Sequence, residues 1–209
     1  MLRSAFPVTL VLCLLFGSSA ALSEAQAKLG KVLKAEGTVM FNGKAVKAGD
    51  PLDGAGTIKT GADGKAKIIL NASKSLAYMN PGAELEIKDK TAVVTLGAGV
   101  ARWVVEKVVA EQGKQPAKSL VVVTRTAAMG VRGTDFLTVV NPLLGETEII
   151  CFDGKVELAS RAAKDDTVMV GKNQWGGIGG RFGAKIAPVL TLDATVMAYF
   201  NSLVPTAGE

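Results

Sequence analysis

Polar and apolar positions alternate along most of the chain in short runs, and each run is set off by turn-forming residues. In Ala83-Glu84-Leu85-Glu86-Ile87-Lys88 the alternation is strict, so a strand there turns Leu85 and Ile87 inward and Glu84, Glu86 and Lys88 outward. The same reading predicts strands over residues 57–60, 65–71, 76–79 and 91–96, separated by Gly61-Ala62-Asp63-Gly64, Ala72-Ser73-Lys74-Ser75, Asn80-Pro81-Gly82 and Asp89-Lys90. Residues 31–41 form a strand pair broken at Gly37, and the following Asn42-Gly43 is the strongest two-residue hairpin signal in the chain. Strands return over 120–124, 136–140, 146–152 and 155–159, with turns at Leu144-Gly145 and Asp153-Gly154. Residues 100–109 (VARWVVEKVV) are long enough for a helix, but their β-branched content and the Gly97-Ala98-Gly99 lead-in favour a strand. Residues 110–118, with Gly113 and Pro116, read as a loop. Turns recurring every 8–12 residues argue against βαβ units and for a sandwich, a barrel or a short β-solenoid. The expected fold is mostly β, a sandwich or short β-solenoid of short strands with one C-terminal amphipathic helix.

That helix is the one place where the period changes. Leu192, Val196, Tyr199 and Leu203 fall on one helical face, Met197, Phe200 and Val204 widen it, and Asn201 lies on the polar side. Thr191 is the expected N-cap, and Pro188 and Pro205 bracket the segment. The stripe predicts packing across an open end of the β-domain, with docking to a partner as the alternative.

The first twenty residues have the three parts of an export signal. Arg3 supplies the charged start, residues 5–16 (AFPVTLVLCLLF) an apolar run, and Ser18-Ser19-Ala20 the small-residue exit, which places cleavage after Ala20 with Ala21 or Ala25 as alternatives. The run falls short of the roughly 20 residues that span a bilayer. Leu12 before Cys13 does not suit a lipoprotein signal. The expected location is therefore periplasmic or secreted, with no stable membrane span. The organisation that follows is a signal peptide over 1–20, a β-domain over 21–186 with its most distinctive stretch at 120–156, and a C-terminal helix and tail over 187–209.

Composition narrows the chemistry. With His 0, imidazole bases and His-ligated metals are excluded, and no catalytic set, metal site or cofactor is expected. Removal of Cys13 with the signal leaves Cys151 unable to form an intrachain disulfide; its alternation with Ile149 predicts a buried thiol, an intermolecular disulfide being the other reading. The net charge of +5 is spread over lysines concentrated in the first third, and aromatics make up only 5%, so nucleic acid is not an expected partner. Glu84 and Glu86 look like a carboxylate pair, but the pleat explains them. Trp103 reads as core. Trp175, set among Gly171, Gly176, Gly177, Gly179 and Gly180, reads as core or as an exposed ligand-stacking platform.

Residues 120–139 read LVVVTRTAAMGVRGTDFLTV and residues 147–156 read TEIICFDGKV. This resembles the central signature of the FecR domain, a bacterial periplasmic module: a strand ending in Thr, a short turn, a Val/Ile-Arg-Gly-Thr-(Asp/Glu)-Phe core, then strands that close on a Gly-x-Val turn. Gly37-Thr38-Val39 and the stretch DGAGTIKTG at 53–61 resemble the family's opening, and VMVGKNQ at 168–174 resembles its close with two extra residues before the Gln. The likeness spans about residues 31–178. It implies a non-enzymatic module for protein interaction or sensing in envelope signalling or assembly, with an envelope protein as partner. FecR regulators of the iron-transport type carry a sigma-factor-binding segment and a membrane helix ahead of the module. Here the export signal stands in that place and Arg125 replaces the usual Pro, so anti-sigma activity is not carried over.

The signature itself reads as structure first. Gly133 sits where a bulge or positive φ is needed, Arg132 and Asp135 flank it and are placed to pair across the kink or to face a ligand, Phe136 anchors the next strand, and Thr134 serves a backbone donor freed by the bend. The second functional reading is a carbohydrate- or peptidoglycan-binding β-domain that uses dispersed lysines and Trp175, with cell-wall glycan as ligand. A weak internal echo relates Glu36-Gly37-Thr38-Val39 to Asp153-Gly154-Lys155-Val156.

Overall fold

The computed structural model describes residues 28–106, 119–163, 165–180 and 183–206. The export signal over 1–20, the loop over 110–118 and the end of the strand expected over 100–109 lie outside these residues. In chain order the strands are β1 (Lys28–Glu36), β2 (Val39–Phe41), β3 (Lys44–Ala45), β4 (Pro51–Asp53), β5 (Gly56–Thr60) and β6 (Lys65–Leu70). Then follow β7 (Ser75–Met79), β8 (Glu84–Ile87), β9 (Val93–Val104), β10 (Leu120–Val123), β11 (Ala127–Val131) and β12 (Asp135–Asn141). The chain continues through β13 (Glu146–Asp153), β14 (Lys155–Ser160), β15 (Thr167–Gly171), β16 (Gln174–Ile178) and β17 (Leu190–Thr191) to one helix, α1 (Ala194–Leu203).

Pairing sorts the strands into two open layers that share β9. The first runs β4-β1-β6-β7-β9-β12-β13-β16-β17. The second runs β3-β2-β5-β8-β9-β10-β11-β14-β15. All these pairs are antiparallel except β9 with β10. From β6 onward the chain lays down hairpins in alternate layers, so a sandwich in cross-section is also wound like a solenoid. Neither layer closes into a barrel.

The shared strand merges two segments that the sequence separates at Gly97-Ala98-Gly99. Its first half pairs with β8 and its second with β7 and β12. Between them Gly99 takes φ +85°, and a Cβ there would sit 2.5 Å from the Ala83 Cα. The strand can therefore change layers only with glycine at the bend. The Asn42-Gly43 turn has positive φ at both residues and joins β2 to β3, as expected. Leu85 and Ile87 are buried between the layers while Glu84 and Glu86 face solvent-side lysines. The echo between residues 36–39 and 153–156 marks equivalent places, since both carry the chain from the first layer into the second.

Two apolar clusters hold the fold. The larger lies between the layers and includes Ile58, Leu85, Leu96, Trp103, Phe136, Ile149, Cys151 and Leu158. The smaller lies on the outer side of the first layer, where Tyr78, Leu137, Ile150 and Phe152 meet Met197, Phe200, Leu203 and Val204. The helix thus covers a sheet face rather than an open end. Strands β12 and β13 are buried on both faces for that reason, with Ile149 and Cys151 turned to one cluster and Ile150 and Phe152 to the other. Asp193, not Thr191, is the N-cap; its Oδ1 accepts from the amides of Thr195 and Val196 at 2.8 and 2.9 Å. Tyr199, expected on the buried stripe, is 60% exposed, because Met197 and Phe200 define the facing side.

Candidate functional site

The signature is a corner between layers. β11 ends at Val131 in the second layer and β12 starts at Asp135 in the first, so Arg132-Gly133-Thr134 must turn the chain. Gly133 does so with φ +62°. The neighbouring corner at Gly154 presses on it, since a Cβ on Gly154 would lie 2.7 Å from the Gly133 carbonyl oxygen and 3.0 Å from Thr134 Oγ1. Thr134 is buried, and its hydroxyl lies 3.1 Å from the Lys155 carbonyl and 3.3 Å from that of Arg132. It therefore donates to a backbone acceptor, where the sequence had suggested that it accepts from a donor. Phe136 is fully buried and stacks with Trp103 at 6.3 Å between ring centroids, and the Trp103 indole N–H donates to Thr138 Oγ1 at 3.2 Å.

Arg132 and Asp135 do not pair across this corner. Arg132 is exposed and its guanidinium lies 3.4 Å from Ser119 Oγ. Asp135 instead accepts both prongs of Arg102, Nε to Oδ1 at 2.8 Å and Nη2 to Oδ2 at 2.7 Å. Alternation in β9 explains the choice: Val100, Arg102 and Val104 share the outer face, and β12 brings Asp135 opposite Val104. Arg102 is 3% exposed, with its guanidinium 4.1 Å from the centroid of the Phe152 ring. Its Nη1 donates to Asn201 Oδ1 at 2.7 Å and to the Val204 carbonyl at 2.8 Å. The last turn of α1 carries no basic residue, so Arg102 supplies from the sheet the cation that a helix C-terminus favours. The signature Asp thereby fixes the residue that fastens the helix. Sequence reasoning missed Arg102, for which the available signal was a lone charge on an otherwise apolar strand face.

Trp175 is half-buried at the rim of the outer cluster, opposite Ile150, and its indole N–H donates to Glu148 Oε2 at 3.2 Å. Cys151 is fully buried, and burial, with Asp153 and Asp135 nearby, pushes its thiol up to about 11. Among the described residues no three side chains of metal-ligating type converge, and no described helix is long and apolar enough to cross a membrane.

The described surface offers a different kind of feature at one end of the sandwich. Leu143 and Leu144 at the tip of the β12–β13 hairpin are 93% and 58% exposed. The tip is held in place: Asn141 Oδ1 accepts from the Leu143 and Leu144 amides at 3.1 and 3.2 Å, and the Gly145 amide donates to the Asn141 carbonyl at 2.8 Å. Beside it, a depression of about 130 Å³ between Arg125, Asn141 and Thr147 adjoins another of about 250 Å³ lined by Arg125, Ser160 and Arg161. Arg161 Nη1 donates to the Thr124 carbonyl at 2.7 Å, and the hydroxyls of Thr124 and Thr126 both meet that of Thr147.

Comparisons agree with this architecture. No curated protein matches the chain. Two crystal structures of a candidate anti-sigma factor from Parabacteroides distasonis ATCC 8503, at 1.65 Å and 2.50 Å, share the fold at TM-score 0.54 and 17% identity. Each match covers 69% of this chain and 64% of that protein. The FecR protein family model matches residues 56–157, which run from β5 through the Gly133 corner into β14. The likeness to the FecR protein family thus covers 102 of the chain's 209 residues, nearly half of it.

Proposed function

We propose that this chain is an exported FecR-domain protein that binds another protein of the cell envelope, in signalling or assembly, and catalyses no reaction. The observation that carries the reading is the hairpin tip, where two leucines are held in solvent by hydrogen bonds to Asn141 beside Arg125. Two adjacent large apolar side chains fixed in solvent and rimmed by polar groups form the kind of patch that contact surfaces use. The signature supports the same reading, because Gly133, Thr134, Asp135 and Phe136 are engaged in the corner, the ion pair and the core. The export signal over residues 1–20 supports a periplasmic or secreted location. The half-buried indole of Trp175 favours this reading over glycan binding.

A photo-crosslinking amino acid at position 143 tests the proposal in cells. A discrete protein adduct in the envelope fraction, competed away by excess unlabelled protein, is expected. No adduct, or intact-mass measurement showing that the protein keeps residues 1–20, would overturn it. Pelleting with insoluble peptidoglycan that Trp175→Ala weakens would support the glycan reading instead.

A further inference from the structure

The two layers have four outer strands, and three of them are short. β3 and β17 are two residues long and β4 is three, whereas β15 is a five-residue strand, Thr-Val-Met-Val-Gly, with no charge and no proline. Short length, charge and proline are the usual protections of a sheet edge, and β15 has none of them. Among the described residues its one strand partner is β14.

The register shows which groups this edge presents. The Ser160 amide donates to the Asp166 carbonyl at 2.9 Å, so 158 with 168 and 156 with 170 are the hydrogen-bonded pairs that follow. The amides and carbonyls of Thr167 and Met169 then point away from β14. The next amide with that orientation, Gly171, is held by Gln174 Oε1 at 2.8 Å, which leaves its carbonyl for a partner. On the outer face Met169 is 53% exposed. Its lateral row across the layer, Glu157, Gly130, Val121 and Val93, contains a single charge.

We propose that β15 pairs antiparallel with β15 of a second copy of this chain, about a two-fold axis at Met169. The strand is complementary to itself in that register. The two Met169 residues exchange amide-to-carbonyl hydrogen bonds, and each Thr167 amide donates to the opposite Gly171 carbonyl. The edge groups select a second copy as its occupant: with the Gly171 amide held by Gln174 Oε1, the strand offers a lone acceptor at one end, and in this register that acceptor meets the Thr167 donor of the other copy. The contact joins the second layers of two molecules into one continuous sheet and leaves the hairpin tip free.

Sedimentation of the purified protein over a wide concentration range tests the pairing. The weight-average mass should rise with concentration to twice that of the chain. Met169→Lys, which sets two ammonium groups opposite each other, should abolish the doubling with an unchanged melting temperature, since the side chain faces solvent. Met169→Cys should oxidise to a covalent dimer far faster than Leu143→Cys, an exposed control. A parent protein that stays monomeric at every concentration overturns the proposal, as does a dimer that Met169→Lys leaves intact, or Met169→Cys crosslinking no faster than the control.

Discussion

Arg102 and Asp135 meet in a two-pronged ion pair beneath the C-terminal helix, with Nε–Oδ1 and Nη2–Oδ2 distances of 2.8 and 2.7 Å. The pair joins three parts of the chain: β9, the signature corner and, through Asn201 and the Val204 carbonyl, the end of α1. Arg102 is almost wholly buried, so removing Asp135 leaves a desolvated guanidinium with neutral partners but no counter-charge. Asp135→Ala should therefore lower unfolding stability by about 3 kcal/mol, within the range for breaking a buried pair. Arg102→Lys should lower stability as well, because an ammonium cannot present two parallel donors to Asp135. Urea denaturation measures the stability. Hydrogen exchange on the helix amides should rise in the same variants, and protection like the parent's would mean that α1 is held by its apolar contacts alone.

The second prediction concerns the corner. Gly133 has φ +62°, and its carbonyl is where the Gly154 corner presses in. A β-branched side chain at such φ is strained by about 1–3 kcal/mol. Gly133→Val should lower the melting temperature, and an unchanged one would show that the corner relaxes into ordinary strand geometry.

These two sites mark how far the sequence could be read. Alternation found β8 with its inward residues, and the signature glycine was recognised as a bend, because both are local properties. β16 was missed because Gly176 and Gly177 look like a turn in sequence. In the fold, a Cβ on Gly176 would lie 2.7 Å from Val170 Cγ2 and 3.2 Å from Leu158 Cδ2, so glycine is there to admit the facing layer. The partner of Asp135 was misassigned for a related reason. Arg132 is close in sequence, but Arg102 is brought alongside by pairing between β9 and β12. The helix stripe was placed on the wrong structure because nothing local says whether a sheet face or an open end lies beneath it. The FecR-like signature carried the resemblance and yet named no partner, since Gly133, Thr134, Asp135 and Phe136 are occupied in the fold.

The third prediction is a pH dependence. Burial, with Asp153 and Asp135 nearby, raises the Cys151 thiol from an ordinary value of 9.0 to about 11. The unfolded chain ionises this thiol first as pH rises, so the stability associated with it is complete below pH 9 and is lost as pH climbs toward about 11. Cys151→Ala lacks that contribution, and the gap in unfolding free energy between parent and variant should change over this window and be constant below it. A gap that stays constant through pH 10.5 or so would mean that the thiol ionises alike in both states. A thiol reagent should label the native protein at pH 8 only as fast as the protein unfolds.

The last prediction concerns what α1 covers. Leu203 and Phe200 pack on Tyr78, Leu137 and Ile150 across the outer face of the first layer, whereas Tyr199 is 60% exposed. Leu203 is only half-buried, so replacing it with a carboxylate should cost about 2 kcal/mol, near the lower end for loss of a packed aliphatic. In a chain of this size that corresponds to a fall of roughly 4–8 °C in melting temperature. Asn201, although it lies on the exposed side, is unsuitable as a silent control because its side chain holds Arg102 at 2.7 Å. Tyr199 is the better choice, and Tyr199→Asp should change stability by no more than about 0.5 kcal/mol. The contrast between Leu203→Asp and Tyr199→Asp decides the role of the helix. If both melt like the parent, the apolar face of β12 and β13 is stable without its cover, and the helix is free to leave it for a partner.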